Sequence, residues 1–452
     1  MARGQGKCRT EADLLGTVEV PDSALYGAHT ERAVANFPAC GHRTLGDYPA
    51  LVEALMAVKQ AVAVVNREAG FLPAEKADAI IAAARRVVHE AMFDQFPIHC
   101  LHGGGGTSAN MNANEVLANL AEESLGGARG QYQRVHPNDH VNLHQSTNDV
   151  YPTACHIAVI SAWPCLRATL TQLAETLDAR ASDLQTVARL ARTCLQDAVD
   201  TSFRDLLSGY AAFVRRGRNR VDAAVDDLHA VGLGGTIVGR ACDAPEAYRE
   251  RIVPKLVEVT GDPKYRAAEN LFDAAQNADP MVATSAQMDL LARGLIKIAN
   301  DFRLMGSGPE AGFCEIRLPA VQAGSSIMPG KVNPVIPEFL MQVCFQVMGA
   351  HAACQATLDH AELDLNVWES TQVVNLLDAM DLLAAGVGAF DEKCVRGFEA
   401  MPEVNARNAN SIVPLLTRLM HEHGYSKVSE LCKSAAGDPA RLRKLLEKGD
   451  LR

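Results

Sequence analysis

Long runs of helically spaced apolar residues govern what this chain can become. Between Tyr48 and Phe93 the stretches LVEALMAVKQAVAVVNREAG and AEKADAIIAAARRVVHEAM carry apolar side chains at helical intervals. Similar runs cover roughly 152–188 and 200–230, continue to Met305, and resume at Ile336–Ala361 and in TQVVNLLDAMDLLAAGVGAF. Helices of about 25 residues or more, without internal caps, bury their stripes only against other long helices, which predicts a bundle built for oligomeric packing. A 5% aromatic content beside abundant Ala and Leu points the same way, towards helix over sheet. The expectation is a mostly α chain. Its 452 residues exceed one comfortable core, and short polar segments after Met401 mark a small C-terminal helical domain. The expected domains are 1–145, a central bundle over 146–400, and 401–452.

Charge and cysteine usage narrow the class. The net charge of −11, with no basic stripe to offset it, argues against a nucleic-acid surface. An anionic ligand must then be drawn in by local positive charge. Twelve cysteines lie scattered from Cys8 to Cys432 without a CxxC pair, as expected of reduced thiols. The N-terminal MARGQGKCRTEADLLG has no apolar core after its basic residues, unlike a secretory signal. The uncharged run Val150–Leu166 reads as too short and too polar to span a membrane. A cytoplasmic protein without membrane or nucleic-acid partners is expected.

Four polar clusters interrupt the helices: GTSANMNANE (106–115), HQSTND (144–149), RTCLQDA (192–198) and GSSIMPGKVNP (324–334). Each is read as sitting where a helix begins or ends. Helix N-termini present unpaired N–H groups and partial positive charge, a natural seat for a carboxylate. A Ser, Thr or Asn at one such place is ordinarily just a cap; four together could bind both carboxylates of a small dicarboxylic acid. The 324–334 cluster reads either as a plain surface loop or as a mobile lid carrying a serine and a lysine.

Other motifs fail on detail. HGGGG at 102–106 suggests an esterase oxyanion loop, but no GxSxG elbow accompanies it. GLGGTIVG at 232–239 is not GxGxxG and follows a helix. His136 and His140 have metal-pair spacing, but Pro137 lies between them and no third ligand is in register. No metal or cofactor is expected.

Taken together, the four clusters resemble the aspartase/fumarase superfamily. Its GSSxMPxKxN loop is matched by Gly324, Ser325, Ser326, Met328, Pro329, Lys331 and Asn333; TSANMNANEV and STNDVYPTA match two further family blocks, and DLLGTVEVPDSALYGAHTERA is similar to the N-terminal segment. QSTND and LPAVQAGSSIMPGKVNPVIPE lean towards aspartate ammonia-lyases within the family. The resemblance implies a three-domain, homotetrameric lyase with each active site built from three subunits. It implies Ser325 as the base that takes a proton from the carbon beside one carboxylate, with Lys331 and Asn333 holding a substrate carboxylate and the loop. Thr107, Ser146, Thr147 and Asn148 would contact the other carboxylate and the leaving group, with Ser108, Asn110, Ser326 and Met328 in the same pocket. Thr193 and Cys194 would close it from another subunit, and Arg32, Arg240 and Glu338 would support it. Proton removal beside a carboxylate builds a doubly charged intermediate, so several donors must be preorganised around it.

Two departures bear on the leaving group. Where many relatives have His after the Thr, this chain has Cys194, which cannot relay protons as imidazole does. VGRACDAP puts Arg240 where the family has a neutral residue; it reads either as a seat for an extra anionic group or as a surface cation paired with an acid. L-Aspartate is the expected substrate, with nitrosuccinate, an N-substituted aspartate, fumarate hydration and a catalytically silent relative as alternatives.

Overall fold

In the computed structural model, residues 7–240, 242–436 and 438–447 are described. The N-terminal hexapeptide read for a leader, Ala241 of the VGRACDAP block, Gly437 and the last five residues lie outside them. The chain is mostly helical and divides into two compact units. One comprises the described residues of Met1–Leu166, Asn219–Asp289 and Gln346–Leu382; the other those of Arg167–Arg218, Leu290–Phe345 and Leu383–Arg452.

The long apolar runs are helices Pro49–Glu68, Ala74–His89, Thr147–Asp183, Phe203–Asp227, Asp279–Met305, Val335–Leu358 and Glu369–Phe390. Sheet is confined to two-stranded pieces among the described residues. In the first unit, Pro49–Glu68 packs on Ala74–His89, Glu246–Thr260 and Thr107–Ser124. Leu51, Leu55, Val58, Val62 and Val65 of that helix are buried, following the 3.6-residue period that made it legible. Each fully buried aliphatic side chain contributes about 1.5–3 kcal/mol relative to exposure. In the second unit the last helices close on Leu431, Ala435 and Leu442, with Ile412 and Leu416 against them.

Three sequence expectations need correcting. The long central helix begins at Thr147 and not near Pro152, because Ser146 and Asp149 cap it one turn earlier. The 192–198 cluster is not a helix end: Ala188–Thr193 and Gln196–Ser202 form an antiparallel hairpin with Thr193 opposite Gln196. Thirdly, Val150–Leu166 belongs to a longer helix, and Pro49–Glu68, Thr147–Asp183 and Glu369–Val395 are all long and apolar enough to cross a membrane by length and composition. Counting an uncharged run stops at the first charge, whereas the helix continues past it. Two-thirds of the Pro49–Glu68 window is buried within the protein, and Lys59 in its middle finds hydrogen-bond partners there.

Candidate active site

In the first unit, two helix N-termini are joined through their first turns. The HGGGG run explains one of them. Gly104, Gly105 and Gly106 all take left-handed backbone angles (φ +86°, +57° and +84°) and deliver Thr107 as the first residue of Thr107–Ser124. A Cβ on Gly106 would stand 2.2 Å from Tyr151 Cδ1, so only glycine fits. Thr107 Oγ1 donates to the Gly104 carbonyl at 2.8 Å. Ser108 and Asn110 are buried in the same turn.

The other N-terminus is set by Ser146-Thr-Asn-Asp149, a capping box. Ser146 Oγ accepts from Asn148 N at 3.2 Å, and the Asp149 carboxylate accepts from Ser146 N at 3.0 Å. Its second oxygen accepts from Gly234 N and Thr236 N, both at 3.0 Å, tying the GLGGTIVG loop to the helix. Asn148 donates Nδ2 to the Ile237 carbonyl at 2.8 Å, which leaves Oδ1 as an acceptor. The helices meet where Asn110 Nδ2 donates to Thr147 Oγ1 at 3.2 Å. Two helix N-termini joined in this way, with Thr107 and Thr147 as their first residues, suit an anion.

Beneath this seat lies Lys59, fully buried. Its ammonium donates to Asn110 Oδ1 at 2.6 Å, Gln145 Oε1 at 2.8 Å and Asn142 Oδ1 at 3.2 Å. Three acceptors match the three N–H bonds of the charged form; a neutral amine offers only two. Burial pulls its pKa down to about 7, opposed by the Asp149 charge. Burial pushes Asp149 up to about 6, against the three N–H groups and Lys59 that favour its ionised form.

The second unit carries the GSSIMPGKVNP loop and the hairpin. Ser325 Oγ accepts from Met328 N at 3.0 Å and Ile327 N at 3.2 Å, so two backbone dipoles converge on the hydroxyl oxygen. Asn333 Nδ2 donates to the Gly324 carbonyl at 2.7 Å, and Gly324 N donates to the Lys331 carbonyl at 2.9 Å. A Cβ on Gly324 would meet that carbonyl oxygen at 2.6 Å. The loop is thus pinned at its neck, while Ser326, Met328 and Lys331 are exposed at its tip. Thr193 and Cys194 are exposed at the tip of the hairpin, where Cys194 and Leu195 both hold positive φ (53° and 60°). Each such non-glycine costs about 1–3 kcal/mol and tends to mark functional turns. The hairpin is held by Arg192, which pairs with the buried Glu315.

The remaining sequence candidates are engaged elsewhere. Arg32 is bound bidentately to Asp13 and donates to the Gly16 carbonyl, bracing the N-terminal hairpin. Arg240 is paired with Asp243, the surface ion pair that sequence offered as one of two readings. Glu338 faces Arg303 at 3.4 Å. His136 caps its own turn, accepting from Asn138 N and Asp139 N, and no metal-binding cluster occurs among the described residues. Sequence reading missed Lys59 and Asp149. The S-x-x-D spacing before a helix signals Asp149; for Lys59 the one cue is a lone cation in an apolar helical run.

A cavity of about 640 Å³ in the first unit, lined among others by His156, Asp279, Asn366, Glu369 and Gln372, contains none of the candidate residues. Burial pushes the Glu369 carboxyl up to about 8 from 4.5, and its Oε2 has no hydrogen-bond partner among the described residues. A raised folded pKa contributes stability below the unfolded value that is lost as pH rises through the folded one. Glu369→Gln is therefore expected to match the native protein in thermal midpoint at about pH 4.5 and to exceed it increasingly up to about pH 8, with a level difference above. A pH-independent difference between the two melting curves would refute this.

Comparison with known proteins agrees with this geometry. A lyase family model matches residues 16–349. The chain is 40% identical over 440 residues to fumarate hydratase class II of Ralstonia nicotianae, covering 96% of this chain and 94% of that one. It is 40% identical over 428 residues to aspartate ammonia-lyase of Escherichia coli, covering 94% and 89%. The class II fumarase of Schistosoma mansoni superposes with a TM-score of 0.94 at 32% identity, covering 98% of this chain and 96% of that one. With two family blocks at paired helix N-termini and the GSSxMPxKxN loop pinned around its serine, this chain belongs to the aspartase/fumarase superfamily of lyases.

Proposed function

We propose that this enzyme converts L-aspartate to fumarate and ammonia, with Ser325 as the base. The observation that carries the reading is the pair of N–H groups, from Ile327 and Met328, on Ser325 Oγ. A serine hydroxyl is a poor base unless its alkoxide is stabilised, and each unit of pKa lowering takes about 1.4 kcal/mol. The two N–H groups stabilise the alkoxide more than the alcohol, because a hydrogen bond to a charged acceptor is the stronger. The alkoxide takes the proton from the carbon beside one carboxylate; Lys331 and the loop N–H groups offset the charge that builds there. Collapse of the intermediate expels the amine and leaves the double bond of fumarate.

Ser108, Ser146 and Thr147 serve the other carboxylate, at helix N-termini that favour negative charge, while Thr107, whose hydroxyl donates to the Gly104 carbonyl, holds the turn beside them. Asn148 Oδ1, left as an acceptor by its bond to Ile237, suits an ammonium leaving group, which has N–H bonds to donate. Thr193 and Cys194 complete the pocket from another copy in a homotetramer. Support for that assembly comes from Leu290, Phe339 and Phe345, 50%, 42% and 50% exposed on long helices, apolar surface of the kind that subunits cover.

The relative named fumarate hydratase favours a second reading, addition of water to fumarate. Thr147 in place of a second serine and Cys194 in place of histidine weigh against it. Arg240, paired with Asp243, no longer argues for nitrosuccinate, and Cys194 alone supports a substituted aspartate. The test is ultraviolet detection of fumarate from L-aspartate, L-malate, nitrosuccinate and an N-substituted aspartate, side by side. Turnover of aspartate above the others is expected; malate as the best substrate would establish the second reading instead.

A further inference from the structure

We infer that Lys59 is a positioning residue for this site: through Asn110 it sets the direction of the hydrogen bond at Thr147 and so makes the Thr147 hydroxyl a donor to the substrate carboxylate. The inference rests on the proposed reading of the anion seat. Its basis is a chain of bonds in which no member can be reversed while Lys59 is charged. An ammonium only donates, so the oxygen of Asn110 must face it. The Asn110 amide N–H groups then point the other way, one to Asn142 Oδ1 at 3.1 Å and one to Thr147 Oγ1 at 3.2 Å. A threonine hydroxyl that accepts there has its single proton left to give elsewhere.

The surroundings brace the same polarity. Gln145 turns its oxygen to Lys59 and donates Nε2 to the Val141 carbonyl at 2.7 Å. Asn142 Oδ1 takes donors from Lys59, Asn110 and Asn114, and its own amide donates to the Gln145 carbonyl at 3.3 Å. Without the cation, Asn110 is free to turn its oxygen to Thr147. The Thr147 hydroxyl would then spend its proton inward and present only lone pairs to a carboxylate. In a buried network, such polarisation passes along the chain of bonds.

The test is a double-mutant cycle on the full-length protein between Lys59→Met and Thr147→Val, read as kcat and KM for fumarate formation and as the Kd of succinate by calorimetry. Each single variant is expected to lose about 10- to 100-fold in kcat/KM, the worth of one hydrogen bond to a charged group, mostly as a rise in KM. The double variant is expected to be no worse than either single one. Multiplying effects would overturn the inference, as would a Lys59→Met protein with unchanged KM. Should Lys59→Met fail to fold, Asn110→Asp keeps the cation paired yet has no N–H for Thr147; it is expected to show the same loss, again not worsened by Thr147→Val. If no L-aspartate is turned over by the native protein, the proposed reaction fails, and the cycle is read on succinate Kd alone. A native protein that does not bind succinate overturns both.

Discussion

Ser325→Ala is expected to lower fumarate formation by about 10²- to 10⁴-fold, the usual worth of a positioned general base, with little change in KM. The two N–H groups of Ile327 and Met328 converge on the oxygen that alanine lacks, so both the base and the acceptor that orders the turn are removed. The neck of the loop, from Asn333 to the Gly324 carbonyl and from Gly324 to Lys331, does not involve the hydroxyl and should persist. Ser326→Ala is the matched control. That neighbour is exposed, and its loss is expected to cost no more than a few-fold. Equal losses at the two serines, or more than about a tenth of native activity left in Ser325→Ala, would remove Ser325 from the mechanism. A catalytically silent relative would have no activity to lose at either position.

Asp149→Ala is expected to be the most damaging substitution in the first unit that touches no substrate. One carboxylate serves Ser146 N, Gly234 N and Thr236 N, and it is 2% exposed. Stranding a buried N–H costs about 1–3 kcal/mol, so three together cost about 3–9 kcal/mol before relaxation, and Lys59 loses its counter-charge as well. Asp149→Asn keeps the shape and one acceptor oxygen. Its amide N–H must still face a backbone N–H, so a loss of about 1–3 kcal/mol is expected. Denaturant unfolding of the three proteins should therefore rank native, Asn, Ala. An alanine variant within about 1 kcal/mol of native would mean that water replaces the carboxylate and that the site is more open than its burial indicates. Activity should follow the same order, because Ser146, Thr147 and Asn148 lose the capping box that orients them.

The long helices were legible because their apolar spacing repeats over many turns, and a repeated pattern outweighs any single residue. The 188–202 hairpin was not. Its turn, Cys194-Leu195, lacks the glycine or asparagine that left-handed angles ordinarily demand, and of its strand residues only Leu190 is fully buried, so no alternation of apolar and polar residues marks them. Arg240 and Asp243 were within reach of sequence, three residues apart in one turn, and the ion-pair reading was the one realised.

Of the candidate site, sequence by itself determined the chemistry on offer: the Ser325 loop with its lysine, the HGGGG run before Thr107, and Ser146-Thr-Asn-Asp149 before the longest helix. These are local patterns, and their geometry follows from residues a few positions apart: left-handed glycines, a capping box, a serine accepting from the turn that follows it. Only the tertiary structure decided that Lys59, 51 residues before Asn110 in the chain, lies under the anion seat, and that Asp149 binds a loop 85 residues away. A lone charge in an apolar helical run reads as solvated until packing removes the water. Its partners are then chosen by which elements meet, and that is a property of the folded core, not of any window of sequence.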